Sequence, residues 1–244
     1  MKKVLFIGNS FAVDMATYMH QIAKAMGEDL YVAVLYIGGC SIQKHYHHIL
    51  NLTREYEIYV NGDKSPLMYN ANIYQGLELE DKWDVISFQQ WSYNSGDPNS
   101  YFPELPLLLK EVEKEHPAQY VLSETWSYAK DYRHEKYGQN PLNQEAMTKD
   151  VINAYHEVAQ KLGIPVVPVG EYVAKAREVM GDILNRDGFH LSELGRSLAG
   201  LVWCYYLFGH KPLEYYPKTG QSYDDKTPGL TDEQWQQLIE IASK

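Results

Sequence analysis

The stretch Val4-Leu5-Phe6-Ile7-Gly8-Asn9-Ser10 decides how the chain folds. Four apolar residues without polar alternation describe a strand buried on both faces, and Gly-Asn-Ser ends it. Residues 12–26 then carry apolar side chains at helical spacing, closed by Gly27 at a helix C-cap. Residues 30–37 form a second apolar run ending in Gly38-Gly39, after which Ser41 can cap a helix over 42–50. Residues 85–89, 120–123 and 166–169 read as three more strands. Helical patterns cover 104–115, 143–162, 172–180, 193–208 and 232–242. Strands that alternate with helices and are mostly unbroken apolar runs predict a parallel sheet covered on both faces. The expected fold is an α/β three-layer sandwich with a five-stranded parallel sheet, in one domain over residues 1–244. Tyr56–Val60, the turn Asn61-Gly62 and residues 67–69 suggest a hairpin, read as an insertion near 55–70 outside that sheet. Residues 211–230 lack periodicity and read as a surface excursion.

The charge balance narrows the function classes. With 22 Lys+Arg against 32 Asp+Glu the formal charge is −10, opposite to what nucleic acid or an anionic membrane attracts. No apolar run approaches the ~18 residues of a membrane span, and MKKVLFIGNS is too short in its apolar part for a signal peptide. The expected location is cytoplasmic. Two cysteines, Cys40 and Cys204, exclude a disulfide framework and a four-cysteine zinc site. Cys40 reads as a small core residue. The run His45-Tyr46-His47-His48 reads as a polar helix face, and no metal is expected.

In a sheet of this kind ligands bind beyond the carboxyl ends of the strands. The residues there are Gly8-Asn9-Ser10, Gly38-Gly39-Cys40-Ser41, Gln89-Gln90-Trp91-Ser92 and Glu124-Thr125-Trp126. Ser10 suits a helix cap, but it also suits a nucleophile at the mouth of the sheet. A serine nucleophile needs a base, and the base an orienting acid. Asp187-Gly188-Phe189-His190 offers both, three residues apart across a glycine. Ser192 can cap the helix that follows. Trp91, Tyr93, Trp126 and Tyr128 stand just past strand ends, where rings with polar tips can border a wet pocket.

The order IGNSF, GGCS, a polar end to the third strand, and DGFHLS resembles the SGNH (GDSL-like) hydrolase superfamily. Within it the chain is similar to an SGNH-type group of gut bacteria that carries Gln in place of the usual block-three Asn. The resemblance implies a flavodoxin-like α/β/α sandwich and ester hydrolysis without a cofactor. It implies Ser10 as nucleophile, His190 as base and Asp187 as the orienting acid. The oxyanion would meet the N–H groups of Ser10 and Gly39 and a side-chain amide, Gln90 or alternatively Gln89. Trp91, Trp126 and Phe189 are the expected substrate contacts. The expected partner is a small-molecule or carbohydrate ester, most plausibly with O-acetyl groups. A lipase or thioesterase acting on longer acyl chains, a carbohydrate-binding protein without catalysis, and a flavodoxin-like flavin or nucleotide binder are the rivals. Gly8-Asn9-Ser10-Phe11, with one glycine and a bulky Phe, suits a phosphate cradle poorly.

Overall fold

A computed structural model describes residues 1–63, 65–139, 141–220 and 229–244. Its strands are β1 (Lys2–Gly8), β2 (Leu30–Tyr36), β3 (Tyr56–Val60), β4 (Met68–Ala71), β5 (Val85–Phe88), β6 (Gln119–Ser123), β7 (Arg133–His134), β8 (Gly138–Gln139) and β9 (Val166–Val167). Its helices are α1 (Ser10–Ala16), α2 (Met19–Ala25), α3 (Ile42–Asn51), α4 (Ile73–Leu77), α5 (Glu104–Glu113), α6 (Gln144–Leu162), α7 (Val169–Met180), α8 (Glu193–Phe208) and α9 (Asp232–Ala242).

β1 sits at the centre because all of Val4–Ile7 is apolar and can be buried on both faces; none of the four is more than 1% exposed. Phe6 pairs in parallel with Val34 of β2 on one side and Ser87 of β5 on the other. The parallel core runs β2-β1-β5-β6-β9, and β3 and β4 extend it past β2 to give the order β4-β3-β2-β1-β5-β6-β9. The sheet therefore has seven strands, not five. The hairpin over Tyr56–Ala71 is no insertion outside the sheet: β3 pairs antiparallel with β2, Val34 opposite Tyr59. The reason is the apolar half of β3. Tyr56 and Ile58 are fully buried, so the hairpin covers the β2 edge that would otherwise stand open.

α1, α2, α8 and α9 pack together in one layer. α3, α4 and α5 form the other, joined by α6 through a 3-10 turn at Pro98–Tyr101. The helix expected over residues 12–26 is two helices. Thr17 Oγ1 donates to Val13 O at 2.7 Å, a side-chain bond that competes with helix continuation, and Tyr18 leaves the helical region at φ −112°. The last parallel strand is only Val166–Val167, because Pro168 begins the turn into α7. Of the surface excursion at 211–230, residues 221–228 lie outside the described residues. No helix among the described residues is long and apolar enough to cross a membrane.

Candidate active site

The β1 strand delivers Asn9 and Ser10 to the carboxyl edge of the sheet. Asn9, not Ser10, caps α1: its side-chain oxygen accepts from Phe11 N at 3.0 Å. The same oxygen accepts from Gln89 Nε2 at 2.8 Å, and Asn9 Nδ2 donates to Cys40 O at 3.0 Å. One residue thus ties the loops after β1, β2 and β5 together and leaves the Ser10 hydroxyl for other chemistry.

That hydroxyl meets His190. Ser10 Oγ and His190 Nε2 are 2.8 Å apart, and His190 Nδ1 lies 2.6 Å from Asp187 Oδ2. Asp187 accepts at Nδ1, so Nδ1 carries the proton and Nε2 is left to accept from Ser10. Asp187 Oδ1 also accepts the His190 N–H at 2.8 Å. Burial pushes the Asp187 carboxyl up, but its bonds from the His190 ring and from the His190 and Phe189 N–H groups outweigh that and hold it below the usual carboxylate range. Gly188 makes the turn at φ +90°, and a Cβ there would stand 2.4 Å from the Tyr132 ring.

The loop is pinned from beneath by residues whose roles were not legible in the sequence. Asp14 of α1 is buried and accepts from Leu191 N (2.8 Å), Arg186 Nη1 (2.9 Å) and Arg196 Nε (2.8 Å). Arg196 Nη1 also donates to Glu193 Oε1 at 3.0 Å, and Tyr18 OH donates to the other Glu193 oxygen. Burial pulls the Arg196 guanidinium down, yet Asp14 and Glu193 more than offset it, so it stays charged. On the far side Arg177 donates to Asn185 Oδ1 at 2.6 Å, and Asn185 Nδ2 donates to Phe189 O at 3.1 Å.

Both glutamines expected as oxyanion donors make hydrogen bonds within the protein. Gln90 is clamped at both ends: its Oε1 accepts from Ile42 N at 3.0 Å and its Nε2 donates to Ser100 O at 2.6 Å. Gln89 Nε2 donates one of its two N–H groups to Asn9 Oδ1 at 2.8 Å. Both glutamines brace loops. The N–H groups of Ser10 and Gly39 have no acceptor among the described residues. Gly39 turns at φ +60°, and a Cβ on it would lie 3.8 Å from Trp91 Nε1.

Trp126 is a second correction. It is 1% exposed, stacks on Phe11 with centroids 4.1 Å apart, and donates from Nε1 to Phe189 O at 2.8 Å. It supports the His190 loop from the core. Trp91, at 37% exposed, and Phe189 do line a cavity of about 710 Å³, with Tyr93, Tyr128, Tyr132 and Arg133. Phe189 precedes His190 and Trp91 lies against Gly39, so this cavity borders the Ser10 relay. Its outer wall is the small β7–β8 hairpin, which the sequence reading missed. Tyr93 stacks on His134 at 4.4 Å and donates to Glu135 Oε2 at 2.6 Å.

His45 is not on a polar face: it is fully buried against Tyr56 OH at 2.8 Å, and burial drops it to about 3. His48 turns its Nδ1 to Thr53. Cys40 is a buried free thiol that burial pushes up to about 12, and Cys204 is likewise buried and unpaired. Ser41 and Ser192 cap α3 and α8 as expected.

The family model described as a domain of unknown function, DUF4886, matches residues 3–227. The chain belongs to the DUF4886 family. A DUF4886 family protein from Bacteroides uniformis shares 30% identity at a TM-score of 0.87, over 99% of this chain and 93% of that one. A lipase/acylhydrolase from Enterococcus faecalis has TM-score 0.55 at 16% identity, over 88% of this chain and 100% of that one. An acetylxylan esterase from Geobacillus stearothermophilus has TM-score 0.54 at 12% identity, over 84% and 93%. No curated protein matches the chain. This DUF4886 chain therefore shares the fold of the SGNH/GDSL hydrolases.

Proposed function

We propose that the protein is a serine ester hydrolase that works through an acyl-enzyme on Ser10. The continuous Ser10–His190–Asp187 relay carries this reading. His190 Nε2 takes the Ser10 proton as Oγ attacks an ester carbonyl, and Asp187 holds the tautomer and steadies the imidazolium. His190 then gives the proton to the departing alkoxide. Water, deprotonated by the same imidazole, releases the acid and restores Ser10.

The developing oxyanion is met by the Ser10 and Gly39 N–H groups. Trp91 Nε1–H, beside Gly39 and without an acceptor among the described residues, supplies a third donor in place of the glutamine amide expected from the sequence. A donor of this kind contributes a factor of about 100–1000 to kcat. The substrate class is a short acyl ester on a carbohydrate, an O-acetyl group in particular. Trp91, Tyr93, Tyr128, Tyr132 and Phe189 offer ring faces and hydroxyls in one cavity, as sugar rings require. An acetylxylan esterase has the same fold.

A nitrophenyl ester series from acetate to decanoate, followed by acetate release from acetylated xylo-oligosaccharides, tests the reading. Acetate esters are expected to turn over fastest, and Ser10→Ala to abolish turnover. Preference for the long chains would move the substrate to lipids. No turnover of any ester would leave a binding role.

A further inference from the structure

A second polar centre lies where the end of β6 meets α6 and α7. Glu124, the residue after β6, is fully buried. Its Oε1 accepts the N–H of Glu171 in the first turn of α7 at 2.7 Å. Its Oε2 receives no hydrogen bond. A buried carboxylate oxygen without a donor is costly, so something else must face it.

Two side chains do. His156 Nε2 on α6 is 3.9 Å from Glu124 Oε2 and 2.9 Å from Glu171 Oε1. The three ligand atoms lie within 4.8 Å of one another. One Nε2 carries at most one proton and cannot satisfy both carboxylates. Lys175, whose charge reaches Glu124, sets its ammonium over the Tyr172 ring at 4.2 Å. A half-exposed carboxylate and a desolvated carboxyl group are thus left to share a single imidazole.

We propose that Glu124, His156 and Glu171 form a divalent-metal site, with zinc as its fitting occupant. Two oxygens and one imidazole nitrogen are zinc ligands at about 2.0–2.2 Å, reached here by small side-chain movements. The half-exposed His156 and Glu171 leave the outer side open to water as a fourth ligand. A dication neutralises both carboxylates and gives Glu124 Oε2 the partner it lacks. It also pins the end of β6 to α6 and α7.

The test uses the full chain, stripped of metal with a chelator and dialysed, then titrated with ZnCl2 by calorimetry and with CoCl2 by visible absorption. One equivalent of zinc is expected, with a raised thermal midpoint and cobalt d–d bands of a nitrogen/oxygen site. His156→Ala, on an exposed position and safe for folding, is expected to weaken zinc by more than about 100-fold, beyond the loss of an outer hydrogen-bond partner. Glu171→Gln should weaken it comparably. Ser10→Ala should bind zinc as the wild type does, so the outcome is independent of the hydrolase reading. Absence of saturable uptake would overturn the proposal. So would equal uptake by His156→Ala, which would place zinc on exposed imidazoles such as His47.

Discussion

Two carboxylates reach the loop that carries His190, and they differ in almost every respect. Asp187 is 43% exposed and three residues from its partner. Asp14 is 1% exposed, and its arginines are 172 and 182 residues away in sequence. The exposed acid faces the imidazole that would move protons; the buried one holds the backbone on which that imidazole stands. The Ser10–His190–Asp187 contacts are thus placed by charges that are almost wholly buried.

Neutralising each acid separately has the largest expected effects. Asp187→Asn is expected to cut kcat by about 10⁴-fold by favouring the wrong imidazole tautomer. Its thermal midpoint should stay near that of the wild type, since the side chain is largely exposed. Asp14→Ala should do the reverse in kind. Taking the buried Asp14 carboxylate from Arg196, Arg186 and the Leu191 N–H costs about 3–5 kcal/mol, a fall of ~10 °C in the midpoint at this chain length, seen by calorimetry. Equal midpoints for the two variants would erase the distinction.

The next contrast concerns donors. Trp91→Phe keeps a ring in the cavity but removes the indole N–H, and is expected to lower kcat about 100-fold. Gln90→Met, which cuts the braces to Ile42 and Ser100, should instead lower stability by about 1–3 kcal/mol with kcat changed only a few-fold. Steady-state kinetics beside urea unfolding separates the two. A larger kcat loss in Gln90→Met would return the oxyanion role to the glutamine.

The smallest effect is in the pH dependence. Unfolded, a glutamate gives up its proton near 4.5, whereas buried Glu124 holds it to about 8. Between those values the folded chain binds the extra proton, so stability falls as pH rises through the window. Glu124→Gln is expected to flatten that slope in metal-free urea unfolding from pH 5 to 8. An unchanged slope would mean that Glu124 is not the group responsible.

How much of this was legible in the sequence follows from the same contrast. Val4–Ile7, the glycine turns and Asp187-x-x-His190 are local patterns, and they led to the parallel core and the relay. The hairpin was recognised, but its place on the sheet edge depends on pairing Val34 with Tyr59, which no local pattern encodes. The contacts of Gln90, Trp126 and Asp14 have no local signature because their partners are distant in the chain: Ile42 and Ser100, Phe189, and Arg186 with Arg196. A polar residue past a strand end looks the same in sequence whether it faces substrate or braces a loop.

The central claim is that His190 activates Ser10. Intact mass after exposure to a fluorophosphonate tests it directly, on the wild type and on Ser10→Ala. One adduct is expected on the wild type and none on the variant. An unmodified wild type, or an adduct that survives Ser10→Ala, would contradict it.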